Sequence, residues 1–132
     1  MLTYIIDGNN LIGKISYLIT LQKKDKQASR EKLVYMLDRY FINKKASVFL
    51  HLDGHPNSKI NSSKMKIIYS ENQTADEKIK KQISQSKSPR NLIVITSDLN
   101  LAQFAKVCSC TVYSSDHFAA EINKSTYNAD EQ

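Results

Sequence analysis

The stretch Leu2-Thr3-Tyr4-Ile5-Ile6-Asp7-Gly8-Asn9-Asn10 decides the reading of this chain. Five residues suited to a buried strand run directly into a carboxylate, a glycine and two amides. A buried strand that ends on an ionisable group must solvate that group, pair it or give it a cation. Asp7 therefore marks a strand end where chemistry can be done. If other strands end on acids too, Asp7 becomes one member of a cation site.

Other strands do. Ala46-Ser47-Val48-Phe49-Leu50-His51-Leu52 is β-rich and ends at Asp53-Gly54, and Asn91-Leu92-Ile93-Val94-Ile95-Thr96 ends at Ser97-Asp98. Lys66 to Ser70 and Thr111 to Tyr113 read as shorter strands. All are near-continuous in apolar and β-branched residues, which predicts a mostly parallel sheet covered on both faces. Helical patterns lie between them. Leu33, Met36, Leu37, Tyr40 and Phe41 recur at helical spacing over Ser29 to Ile42. Ile79 and Ile83 do so over Asp76 to Ser84, with Thr74 as cap. Leu99 to Val107 follows Asp98, and Asp116 to Ile122 opens on Asp116 as a cap. The alternation indicates an α/β fold with right-handed crossovers.

The chain has 132 residues, which fits one domain, expected over 1–124 with a flexible tail at 125–132. No apolar run approaches the roughly 20 residues of a membrane span. A start on a strand with no basic segment argues against a signal peptide. Cys108 and Cys110 imply no disulfide framework. These features together predict a cytoplasmic protein without membrane association. Charge is uneven: residues 1–90 hold 17 Lys and Arg against 8 Asp and Glu, whereas residues 91–132 hold 2 against 5. A basic face of this kind suits a polyanion, most commonly nucleic acid.

In an open parallel sheet, ligands bind beyond the carboxyl ends of the strands. Asp7, Asp53 and Asp98 each follow a strand directly, and Asp76 opens the helix after the third. Four acids in one cleft repel each other unless a cation joins them. Oxygen ligands without a His or Cys cluster suit Mg²⁺ or Mn²⁺. Such ions facing a basic surface are the parts needed to cut a phosphodiester. Each acid also has a plainer role: Asp98 and Asp116 as helix caps, Asp53-Gly54 as a turn, Asp76 as a favourable first-turn charge.

The same residues resemble a known family. Tyr4-Ile5-Ile6-Asp7-Gly8-Asn9-Asn10-Leu11-Ile12 is similar to the opening of NYN domains, in the PIN-like ribonuclease superfamily, and most of all to the YacP-like branch. The likeness continues in order through Arg30, Leu33, Leu37 and Tyr40, then Val48 to Gly54, Thr74-Ala75-Asp76, Val94 to Asp98, and Phe118. The resemblance implies a three-layer α/β/α PIN-like domain and a metal-dependent endoribonuclease, linked in this branch to RNA decay on ribosomes. It implies Asp7, Asn10, Asp76 and Asp98 as catalytic, and Asp7, Asp53, Asp76 and Asp98 as ligands to Mg²⁺ or Mn²⁺. Thr96 and Ser97 would support the Asp98 loop; on charge, Arg30, Lys14 and Lys78 are the residues expected to contact RNA. The chain departs from the branch in its shorter length, in Leu99-Asn100 after Asp98, and in Cys108-Ser109-Cys110 where a glycine is usual.

Two other readings compete. A non-catalytic RNA- or ribosome-binding module would use the same fold and basic face. A phosphatase of the haloacid dehalogenase type also opens on a strand ending in Asp, but it needs a second Asp where Asn9 stands. His51 and His55 flank Asp53, yet His51 lies within a strand and reads as a packed residue. Tyr17, Tyr35 and Tyr40 could stack on bases, although Tyr40 also fits the core stripe.

Overall fold

The computed structural model describes the backbone of residues 1–130 and the side chains of residues 1–124. Five strands form one sheet: β1 (Leu2–Asp7), β2 (Ala46–Leu52), β3 (Met65–Tyr69), β4 (Leu92–Ile95) and β5 (Thr111–Tyr113). Their order is β3-β2-β1-β4-β5, and every pairing is parallel. The six α-helices are α1 (Gly8–Ile12), α2 (Ser16–Lys24), α3 (Lys26–Phe41), α4 (Ala75–Gln85), α5 (Leu99–Val107) and α6 (Ser115–Asp130). The expected tail at 125–132 falls outside the described side chains, and its backbone as far as Asp130 continues α6.

Apolar residues on the two faces of the strands sort the helices into two layers. Ile6, Leu50, Leu52 and Ile95 pack with α1, α2, α3 and α6 through Leu11, Leu18, Leu37, Phe41 and Phe118. Ile5 and Val94 face the other way and pack with α4 and α5 through Ile79, Ile83, Leu101 and Ala105. The result is the three-layer α/β/α sandwich expected from the near-continuous strands. Fully buried side chains such as Leu37 and Phe41 each contribute about 1.5–3 kcal/mol through lost apolar exposure.

Chain direction around the sheet reverses between β1 and β4. From β1 the chain builds outward through β2 to β3, then crosses back through α4 to β4 and on to β5. A crevice at the carboxyl ends of the strands follows from that reversal. Asp7 ends β1 on one side of it, and the Thr96-Ser97-Asp98 segment follows β4 on the other.

Helix α1 was not foreseen, because Asp7-Gly8-Asn9-Asn10 reads as a turn. The chain instead enters a helix at Gly8, immediately after the strand. Glycine is needed there for closeness: an added Cβ would lie 2.6 Å from the His51 carbonyl oxygen and 2.7 Å from Leu52 Cδ2. The tight entry brings Asn9 and Asn10 back over the strand ends. Helix α2 was also missed; only Leu18 of its residues is fully buried, so its apolar stripe is narrow.

Candidate active site at the strand ends

Asp7, Asp53, Asp76 and Asp98 all line one open cleft of about 570 Å³, together with Asn9, Asn10 and the Ser70 to Ala75 segment. The sheet delivers the first two acids directly, since Asp7 pairs with His51 in register and Asp53 follows one residue after β2. Asp98 stands at the start of α5, and Asp76 in the first turn of α4.

Asn9 and Asn10 hold the cleft walls apart at a fixed spacing. Asn9 Oδ1 accepts the Asp53 N–H at 2.8 Å and so ties α1 to the end of β2. Asn10 Oδ1 accepts the Ser97 N–H at 2.8 Å and the Ser115 hydroxyl at 2.6 Å, tying α1 to the β4 loop and to α6. Sequence reasoning assigned a role to Asn10 and none to Asn9. The paired amides were the available signal, because a helical turn aims consecutive side chains in different directions.

On the β4 side the acids share a hydrogen-bond chain. The Thr96 hydroxyl donates to Asp7 Oδ2 at 3.0 Å and accepts from the Asp98 N–H at 3.1 Å. Asp98 Oδ1 accepts the Leu101 N–H at 3.0 Å, so Asp98 does cap α5. The Ser97 hydroxyl accepts the Ser115 N–H and donates to Asp116 Oδ2 at 3.1 Å. Asp116 is therefore not the expected cap. Ser114 Oγ takes that part, accepting the His117 N–H, while Asp116 bridges Ser97 to Lys14 at 3.7 Å.

On the β2 side, Asp53 Oδ1 accepts the Ala75 N–H at 3.0 Å, which fixes the start of α4. Thr74 caps α4 as expected. Asp76 Oδ2 pairs with Lys80 at 3.2 Å, one helical turn on. Its other oxygen, Oδ1, is buried and has no hydrogen-bond partner among the described residues.

Burial pushes the Asp7 carboxyl up to about 6 from an ordinary 3.8; bonds from the Thr96 hydroxyl and the Asn10 backbone N–H oppose this, and the neighbouring charges of Asp53 and Asp98 add to it. A buried carboxylate beside two other acids is the electrostatic state that a cation would relieve. The oxygen-only donor set and the orphaned Asp76 oxygen fit a hard cation. No group of three or more His, Cys, Asp or Glu among the described residues is gathered closely enough to form a ready-made metal cage. The four acids share a cleft, then, without the tight convergence expected of four ligands around one centre.

The expected RNA contacts divide. Arg30 is corrected: it is 2% exposed, and its guanidinium donates to the Asp53 and His55 carbonyls and lies 5.6 Å from the centre of the Tyr69 ring. Its long side chain is needed to hold the loop after β2 against α3, so it has no surface to offer RNA. Lys14 stands near the cleft through Asp116. Lys78 lines a separate groove with His51 and Gln82, away from the acids. His51 is a packed residue, with Nε2 at 2.7 Å from Gln82 Oε1 and with its pKa lowered by burial. Tyr40 is in the core stripe, edge-on to Phe41 and Phe118.

A parallel α/β/α sheet with acids at the strand ends of its switch point defines an α/β domain with a ligand cleft at that point. The chain belongs to the YacP-like NYN domain family, whose model matches residues 4–132. Two crystal structures of Rae1 (YacP) from Bacillus subtilis share the fold. The wild-type protein superposes with a TM-score of 0.81 at 22% identity, covering 99% of this chain and 79% of that one. A single-substitution variant gives a TM-score of 0.82 at 22% identity, covering 99% of this chain and 80% of that one. No curated protein matches the chain. No helix among the described residues is long and apolar enough to cross a membrane.

Proposed function

We propose that this protein is a cytoplasmic endoribonuclease that uses Mg²⁺ or Mn²⁺ to hydrolyse RNA phosphodiester bonds, in the setting of ribosome-associated mRNA decay. The observation that carries the reading is the placement of Asp7, Asp53, Asp76 and Asp98 on one cleft of a chain with net charge +6. An acidic cleft in a basic protein has little use for a polyanion unless cations stand between them. Mg²⁺ is bound through one or two carboxylates and keeps waters and substrate phosphates as its other ligands. Asp7 and Asp98 are the pair for that role, with Asp76 lining the same cleft and Asp53 as a supporting acid. A bound ion of this kind supplies Lewis acidity and an activated water.

The chain's own residues do the rest. Thr96 sets the Asp7 carboxylate and the Asp98 backbone relative to each other. Asn10 and Ser97 hold that loop against α1. Lys14, paired with Asp116 behind the Ser97 loop, would attract the phosphate backbone as it enters.

A non-catalytic RNA- or ribosome-binding module is the second reading. It is favoured by the absence of a gathered three-acid cage among the described residues. One experiment separates the two: cleavage of a mixed RNA pool with Mn²⁺ by the wild type and by Asp7→Asn, each with and without ribosomes. Cleavage that needs both Asp7 and Mn²⁺ supports the enzyme. Binding without cleavage by either protein leaves the binding module.

A further inference from the structure

We infer that the groove between β5, α6 and the end of α3 is a stacking site for one unpaired nucleobase of the RNA whose backbone lies in the acid cleft. The inference rests on the ribonuclease reading above and adds a substrate preference to it. Tyr4, Tyr40, Tyr113, His117, Phe118 and Glu121 line a cavity of about 310 Å³. None of these residues borders the acid cleft.

The two hollows are nevertheless linked by one backbone hydrogen bond at the strand ends. Tyr113 ends β5 at the same edge of the sheet, and its carbonyl accepts the Thr96 N–H at 3.1 Å. Thr96 is the residue that bonds Asp7. Helix α6 begins two residues after Tyr113, fixed by the bonds of Ser115 to Asn10 and of Asp116 to Ser97. A nucleotide next to one held in the cleft would meet the Tyr113 end of the groove first.

The lining suits a base. Tyr113 is 43% exposed and its ring stacks on His117, with centroids 5.7 Å apart and planes 25° from parallel. It therefore offers a flat π-face at the surface. Aromatic platforms of this kind bind bases of single strands without demanding one sequence. Tyr40 stands edge-on to Phe118 at 5.3 Å and supplies the inner wall. Lys44 Nζ lies 4.4 Å from the centre of the Tyr40 ring, a cation beside the groove's inner wall suited to a phosphate.

The polar groups add selectivity. Glu121 is an exposed carboxylate in the groove, and a carboxylate only accepts hydrogen bonds. Adenine, cytosine and guanine carry exocyclic amino groups with two N–H donors, whereas uracil offers a carboxylate only its single imide N–H. The groove thus favours an amino-bearing base over uracil.

The test uses the full chain with Asp7→Asn, so that RNA is bound and not cut. A short single-stranded RNA carrying one 2-aminopurine is added, and its fluorescence reports stacking while anisotropy reports binding. The expected result is quenching on binding. Adding Tyr113→Ala should abolish the quench and weaken binding roughly ten-fold or more, whereas Tyr113→Phe should retain both. Glu121→Gln should narrow the preference for adenine or cytosine over uracil. RNA binding and quenching unchanged by Tyr113→Ala would overturn the stacking site and leave the ribonuclease reading standing. Failure of any form of the chain to bind RNA would remove both.

Discussion

The two halves of the acid cleft are built to different standards. On the β4 side, Asp7, Thr96 and Asp98 form one hydrogen-bond chain, and Asn10, Ser97, Ser115 and Asp116 brace it from behind. On the β2 side, Asp53 is held by bonds to Asn9, Ala75 and the buried Arg30, with no bond to another cleft acid, and Asp76 by one partly exposed ion pair. The β4 half borders the point where the chain reverses direction around the sheet, the place where α/β folds bind ligands. Bracing of that kind sets carboxylates in advance and leaves little reorganisation for the moment of reaction. The β2 half can adjust to whatever enters.

The largest expected effect breaks or supports this difference directly. Asp7→Asn and Asp98→Asn should each lower Mn²⁺-dependent RNA cleavage by on the order of 10²–10³, whereas Asp53→Asn, whose amide oxygen still accepts from Ala75, should lose less than about ten-fold. Single-turnover cleavage of a labelled RNA measures all three. Equal losses would mean that both halves act as one site.

Asp7 also predicts a pH dependence of stability. Its folded pKa of about 6 stands above the ordinary 3.8. The folded state therefore binds the proton more tightly than the unfolded chain does. That contribution is fully present below about pH 4 and is lost as pH rises through about 6, a change of about 3 kcal/mol. Urea unfolding in a chelator should show Asp7→Asn without this loss and more stable than wild type at pH 8. Mn²⁺ should restore stability to wild type and not to Asp7→Asn. An identical pH profile for both proteins would show that Asp7 is better solvated than its burial indicates.

The two asparagines sharpen the comparison next. Asn10→Ala strands a backbone donor and a buried serine hydroxyl, and should cost about 2 kcal/mol; Asn9→Ala strands one donor, and should cost about 1. Denaturant midpoints decide it. A larger loss for Asn9→Ala would reverse the ranking of the two halves.

Strands, sheet class and most helices were legible because buried parallel strands leave long apolar runs that no surface element imitates. The acids at Asp7, Asp53 and Asp98 were legible for the same reason, since each interrupts such a run. Helix α1 was not, because Gly8 serves a close approach to His51 and Leu52, and sequence does not distinguish that from a flexible turn. Arg30 was misread on charge: its basicity is visible in sequence, and the two carbonyls that consume it come from a loop more than twenty positions away. Asp116 was misread on spacing, because the cap falls two residues earlier at Ser114.

The smallest effect probes the β2 half alone. Lys80 pairs with Asp76 at 3.2 Å, and both side chains are more than a third exposed. Such a pair is worth little, so Lys80→Ala should change stability by less than about 0.5 kcal/mol. The same change removes a cation that competes for Asp76 Oδ2. If Asp76 turns toward an ion in the cleft, Mn²⁺ should bind Lys80→Ala a few-fold more tightly, as titration calorimetry would measure. If Asp76 serves only α4, the affinity should stay where it is, because a lysine bound to a structural acid has nothing to give up. The outcome decides whether the adjustable half of the cleft contributes a ligand or only a wall.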